Sequence, residues 1–331
     1  MHWKKIETIG TEKSVDGIGT DYYFYDFSLL NSEIGFLCGE YKDRKKIGEY
    51  KRVNIEKNKD AIVLCSKNGG RHWQEIVIGK GEIRDFNKTN DKLFTLRRSY
   101  HGISAEIIQS HIHVSTDQGQ TWKEIYSTSE AFDEIHFWTE SDGVATMGLR
   151  GYIYNSLRFM KTKDGGQTWE DIYIPHAHRG MDFEITKDGI LYFLTSSRSS
   201  YISVNLKEAV FKETPVKFEE VPFSIILDNQ DHLYFITENK DKRNVLFRRE
   251  GNSFIKINFP FTDTMINDVW IYDNIISIIV DENGGSYYRS EDYGRTWKQK
   301  NFTKTFIRDI AFFGKDNIWI RTVPGQMLVR E

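Results

Sequence analysis

Arginine and tyrosine recur together at short intervals through the middle of this chain, in Arg97-Arg98-Ser99-Tyr100, Arg150-Gly151-Tyr152 and Arg198-Ser199-Ser200-Tyr201. Two further stretches, His176-Ala177-His178-Arg179 and Lys240-Asp241-Lys242-Arg243, add to the basic character. A guanidinium matches a carboxylate through paired hydrogen bonds, and Arg and Tyr are enriched where proteins grip one another. The candidate binding residues are therefore Arg98, Tyr100, Arg150, Tyr152, His178, Arg179, Arg198, Tyr201 and Arg243. A second series is acidic: Asp26, Asp85, Glu134, Asp182, Asp268 and Asp309, each set among apolar residues. Crowded carboxylates raise one another's pKa unless a cation or hydrogen bonds compensate. The series reads either as a ring for a cation or basic side chain, or as acids that bond backbone within a repeat, and the backbone role is the expected one. Metalloprotease, nucleophile-elbow and P-loop motifs are absent, so no catalytic residue is assigned. Cys38 and Cys65 lack metal-ligand spacing, and neither a metal nor a cofactor is expected.

The elements that position these residues are repeats. Ser115-Thr116-Asp117-Gln118-Gly119-Gln120-Thr121-Trp122 returns at Thr162 to Trp169 and at Ser290 to Trp297, with a weaker copy from Ser66 to Trp73. Each copy lies between two β-rich runs and so reads as a hairpin turn. The hydroxyl and the Asp can satisfy backbone donors, Gly can take positive φ, and Trp can anchor the turn in the core. The pattern resembles the Asp-box, or BNR, repeat of sialidases, xyloglucanases, sortilin-type receptors and photosystem II assembly-factor propellers. The run from Phe27 through Gly35-Phe36-Leu37-Cys38-Gly39 is similar to the repeat of the assembly factors. That resemblance implies a β-propeller whose boxes join the third and fourth strands of a blade, on the face opposite most binding sites. Asp117, Asp164 and Asp292 are accordingly expected to be structural.

A longer unit recurs seven times, beginning near Phe24, Ile83, Phe132, Met181, Phe223, Ile266 and Ile307. Box-position aromatics follow at Trp73, Trp122, Trp169, Phe211, Phe254 and Trp297, and Trp3 supplies the seventh. The last unit lacks a fourth strand, and Trp3-Lys4-Lys5-Ile6 reads like Trp122-Lys123-Glu124-Ile125. The expectation is a single all-β domain over residues 1–331. It is a seven-bladed propeller of four-stranded antiparallel blades, closed by the N-terminal strand, with a basic insertion at about residues 40–60.

Composition narrows the function. With 45 basic and 48 acidic residues the net charge is −3, which gives no whole-protein attraction for nucleic acid or anionic membranes. No run approaches the roughly 18 apolar residues of a membrane helix, and the first residues carry no export signal. The expected protein is a monomeric, non-catalytic propeller of the bacterial cytoplasm that docks another protein on its Arg/Tyr face, as an assembly, inhibitor or immunity-type factor. The alternative is a sialidase-like or other Asp-box glycoside hydrolase, with Arg98, Arg150, Arg179 and Arg198 as its arginine cluster and Tyr100, Tyr152 or Tyr201 as its tyrosine. Against it, the N-terminal Arg-Ile-Pro motif is missing and seven units stand in place of the six of sialidases.

Overall fold

The computed structural model describes residues 3–6, 22–41, 59–101, 107–148, 157–176, 182–216, 220–238, 244–262, 264, 266–280, 285–302, 306–323 and 327–330. These form 28 strands and, among the described residues, no helix; none is therefore long and apolar enough to cross a membrane. The strands make seven four-stranded antiparallel sheets, over residues 22–80, 82–128, 134–172, 183–215, 221–258, 266–301 and 306–330. In the seventh blade the fourth place is taken by Trp3–Ile6, which pairs with Met327–Arg330 from Trp3 opposite Arg330 to Ile6 opposite Met327.

Sequence pattern explains the order of strands within a blade. Second strands such as Ile275–Val280, apolar apart from Ser277, are fully buried, because the adjoining blades cover both of their faces. Outer strands such as Lys298–Asn301 are polar and exposed. The core is consequently a set of layers between neighbouring blades. Phe94 of the second blade stacks on Phe137 of the third at 3.8 Å, and Trp319 of the seventh meets Trp73 of the first edge-on at 6.0 Å. Aromatic contacts of this kind contribute beyond their area. Cys38 and Cys65 are buried and free.

Two of the aromatics expected to replace a box Trp behave differently. Phe254 packs edge-on against Phe235 at 5.6 Å, but Phe211 is 52% exposed. In that fourth blade Leu206, in the turn itself, is buried, and its N–H donates to the Gly189 carbonyl at 3.0 Å. Residues 42–58 of the basic insertion lie outside the described residues, as does the Trp3 side chain.

Candidate functional site

The four box turns are built alike and use up their own polar groups. In the second blade Asp117 Oδ1 accepts the Thr121 N–H at 2.9 Å and Oδ2 accepts the Thr121 hydroxyl at 2.6 Å. Ser115 Oγ accepts the Gly119 N–H at 2.9 Å, and Trp122 Nε1 donates to the Gly119 carbonyl at 3.1 Å. Asp164 and Asp292 repeat this set, and Asn68 stands in for the Asp in the first blade. Hydrogen bonds from Thr121 hold the Asp117 carboxyl down at about 2. Gly119 has φ of 81°, and a Cβ there would sit 2.5 Å from the Phe36 ring of the preceding blade. The boxes are thus turn fasteners that also seat one blade on the next.

The acids of the innermost strands have a second structural task. Asp26 Oδ2 accepts the Phe86 N–H of the second blade at 3.0 Å. Asp85 Oδ2 accepts the Ile135 N–H of the third at 2.6 Å, and Asp182 accepts the Ile225 N–H and the Ser224 hydroxyl of the fifth. In each pair the acid of one blade bonds the residue after the equivalent position in another. These carboxyls line the central channel, where burial and the Asp26 charge raise Asp85 to about 8. Burial alone raises Asp268 to about 6, and burial with the Asp182 and Asp268 charges raises Glu184 to about 8.

Where the channel opens on the face opposite the boxes, a polar cluster joins the first and second blades. Its centre is Glu82, at the start of the innermost strand Glu82–Lys88. Tyr100 donates its hydroxyl to Glu82 Oε1 at 2.6 Å, Tyr25 donates to Oε2 at 3.3 Å, and Lys59 Nζ lies 3.5 Å from Oε2 and 2.8 Å from Glu40. Arg84 lies over the Tyr25 ring at 5.0 Å and reaches Glu82 only at 3.7 Å. Burial acts to raise the Glu82 carboxyl, but the Tyr100 hydroxyl, Lys59 and Arg84 outweigh it and hold the group below its usual range. Burial, Glu82 and Glu40 push the Tyr25 phenol up. Tyr25 nevertheless keeps 43% of its surface exposed and borders channel cavities of about 300 and 400 Å³.

The backbone explains why Tyr25 and Arg84 stand there. Register shifts between Phe24 and Asp26 and between Ile83 and Asp85 make each the extra residue of a β-bulge, a device that re-aims a side chain. The same shift recurs around Asn267 and Arg308.

Four of the nine candidate residues are described, and they do not form one surface. Tyr100 belongs to the cluster. Arg98, 8% exposed, donates through Nε to the Phe132 carbonyl at 2.7 Å and pairs with Asp133, so it ties the second blade to the next connection. Tyr201 is a core residue at 1% exposure, packed on Phe235 at 5.4 Å, which corrects its placement on the loop face. Arg198 is exposed in a tight turn with φ of 57°. Arg150, Tyr152, His178, Arg179 and Arg243 lie outside the described residues. Sequence reasoning missed Tyr25, Arg84, Glu82, Lys59 and Glu40, although Tyr25 and Arg84 occupy equivalent places just before the repeat's Asp.

Comparison with known proteins agrees with this geometry. A BNR/Asp-box repeat profile matches residues 113–124, which span the second blade's box. The chain is a seven-bladed β-propeller that carries a BNR/Asp-box repeat. Comparison with curated protein sequences finds no match. The propeller is similar to the structure described as YCF48 bound to D1 peptide, at 15% identity and a TM-score of 0.67, over 99% of this chain and 94% of that one. It is similar to YCF48 from Cyanidioschyzon merolae, at 15% identity and a TM-score of 0.64, over 99% and 98% of the two chains. Virginiamycin B lyase from Staphylococcus aureus matches at 12% identity and a TM-score of 0.63, over 99% and 98%. At such identities the likeness is one of fold, and function has to be argued from the site.

Proposed function

We propose that the protein is a docking propeller that holds a segment of another protein, without chemistry on that segment, at the mouth of its channel, on the face away from the boxes. The observation that carries this reading is the Tyr25–Arg84–Glu82 cluster. It offers an exposed aromatic ring, a cation over that ring and a fixed carboxylate, all on strands of a rigid frame. Arg84 lies over the Tyr25 ring and reaches Glu82 at 3.7 Å, and its side chain stays 35% exposed. A peptide carboxylate or carbonyl suits that group. YCF48, which shares the fold, has been captured with a peptide, and that likeness favours an assembly-type role over an inhibitor or immunity role. Arg198, Arg150, Tyr152, His178, Arg179 and Arg243 stay proposed contacts of the same partner on the strength of the sequence alone. Two free, buried cysteines suit a reducing compartment, and we place the protein in the cytoplasm.

The test is co-purification from the native cell, followed by titration of labelled peptides from the partner. Arg84→Ala and Tyr25→Ala should each weaken binding by about 2 kcal/mol, while Asp164→Ala leaves affinity unchanged. Equal affinity in all three variants would overturn the reading.

One observation favours the hydrolase alternative. A tyrosine hydrogen-bonded to a glutamate is the pair that sialidase chemistry uses, and Tyr25 and Glu82 form such a pair. Its weakness is that the phenol is pushed up rather than down. Release of the reporter from fluorogenic sialosides by the parent, lost in Tyr25→Phe, would establish that alternative.

A further inference from the structure

A different line of polar side chains crosses the second blade outward from its second strand, Leu93–His101, to its fourth, Lys123–Thr128. Ser99 Oγ lies 2.9 Å from His111 Nε2, and His111 Nδ1 lies 3.1 Å from Glu124 Oε2. On its other side Ser99 Oγ is 3.0 Å from His101 Nε2. One proton arrangement satisfies all three contacts. His101 N–H donates to Oγ, the Ser99 hydroxyl donates to His111 Nε2, and His111 Nδ1–H donates to the carboxylate, this tautomer being assigned from the network. Each link polarises the next.

The surroundings keep the two end groups in the forms this chain needs. Burial and the neighbouring Arg97 charge lower the His111 pKa, which favours the neutral imidazole that can accept the Ser99 proton. Burial alone would raise Glu124, but His111, His113 and Arg97 outweigh it and keep the carboxylate ionised. Arg97 is itself fixed by donating to the Lys80 carbonyl at 2.7 Å, and it lies 3.2 Å from the same Glu124 oxygen.

We propose that Ser99 is a nucleophile that takes the acyl group of small activated esters, with His111 as its general base and Glu124 as a positioning residue. Ser99 Oγ bonds to the ester carbonyl carbon while its proton passes to His111 Nε2. Collapse of the tetrahedral adduct breaks the bond to the alcohol oxygen, which leaves with that proton. Water, activated by His111 in turn, then attacks the acyl-serine and releases the carboxylic acid. His101 is exposed and marks the side from which substrate arrives. The proposal does not depend on the docking reading, because none of its residues belongs to the Glu82 cluster.

The experiment treats the full chain with diisopropyl fluorophosphate and, separately, with p-nitrophenyl acetate. The expected result is one covalent phosphoryl adduct, mapped by peptide mass spectrometry to Ser99 of the folded wild-type protein. Ester turnover should vanish in Ser99→Ala and fall on the order of 100-fold in His111→Gln. Glu124→Gln should lower kcat with KM unchanged, a split that loss of fold would not give. An absent adduct, an adduct on another residue, or turnover retained by Ser99→Ala overturns the proposal. Adduct mapping on the wild type decides the matter even where a variant fails to fold.

Discussion

The Asp85 carboxyl of the second blade accepts the backbone N–H of Ile135 in the third at 2.6 Å, and so spans the seam between two innermost strands. Its other oxygen accepts the Phe86 N–H at 2.9 Å. The Phe86 N–H is also met by Asp26 at 3.0 Å, so the Ile135 N–H is the donor that depends on this side chain, and an unsatisfied buried donor costs about 1–3 kcal/mol. Asp85→Ala should lower unfolding stability by about that amount in urea melts. Asp85→Asn should fall between, because its amide keeps only one acceptor. Unchanged midpoints in both variants would mean that the seam does not need the acid.

Glu184, in the first strand of the fourth blade, has its carboxyl raised from 4.5 to about 8 by burial and by Asp182 and Asp268. A group whose folded pKa lies above its unfolded value favours the folded state fully at low pH, and that support is lost as pH climbs through the window between the two. Glu184 therefore takes stability from the parent between about pH 4.5 and about pH 8. Glu184→Gln should match the parent near pH 4.5 and exceed it increasingly toward pH 8, as read from urea midpoints at a series of pH values. His113 and His136, lowered to about 4 by burial, act in the opposite sense below pH 6.5 and so confine their effect to the acid side.

The repeat was readable because it is local. A hydroxyl, an Asp, a Gly and a Trp within eight residues satisfy one turn, and the seven copies of the longer unit count the blades without any long-range information. The candidate site was less readable, because it depends on strand register. Arg98 and Tyr201 look like loop residues from their neighbours, yet Arg98 pairs opposite Glu82 and Tyr201 opposite Leu194, inside their sheets. Their side chains then meet an adjoining blade rather than solvent. Lys59 ends a charged run that reads as solvated, but the fold buries it against Glu40 at 2.8 Å. Tyr25 and Arg84 could have been found by aligning the repeats and asking which residue the bulge displaces.

The box tryptophans supply a prediction that separates frame from function. Trp169 Nε1 donates to the Gly166 carbonyl at 3.0 Å, and its ring meets Phe132 at 5.6 Å and Phe137 at 6.0 Å. Trp169→Ala should cost about 3 kcal/mol, since it removes both the turn's anchor and an aromatic layer of the third blade. Peptide affinity at the opposite face should persist at temperatures where the variant is folded. A selective loss of binding with unchanged melting would place function at the boxes instead.

Closure of the ring rests on four residue pairs between Trp3–Ile6 and Met327–Arg330. Without the first strand, the edge of Met327–Arg330 is left with unpaired N–H and C=O groups, and an open edge invites pairing with other chains. Deletion of residues 1–6 should lower the melting temperature, since it removes a whole strand from the seventh blade and leaves Phe306–Phe313 and its neighbours to hold the sheet. It should also raise the fraction of aggregate in light scattering. The edge is what matters in this account, so adding the missing strand back as a separate peptide should recover part of both losses. A truncated protein that melts and scatters like the parent would show that the three C-terminal strands close the propeller unaided.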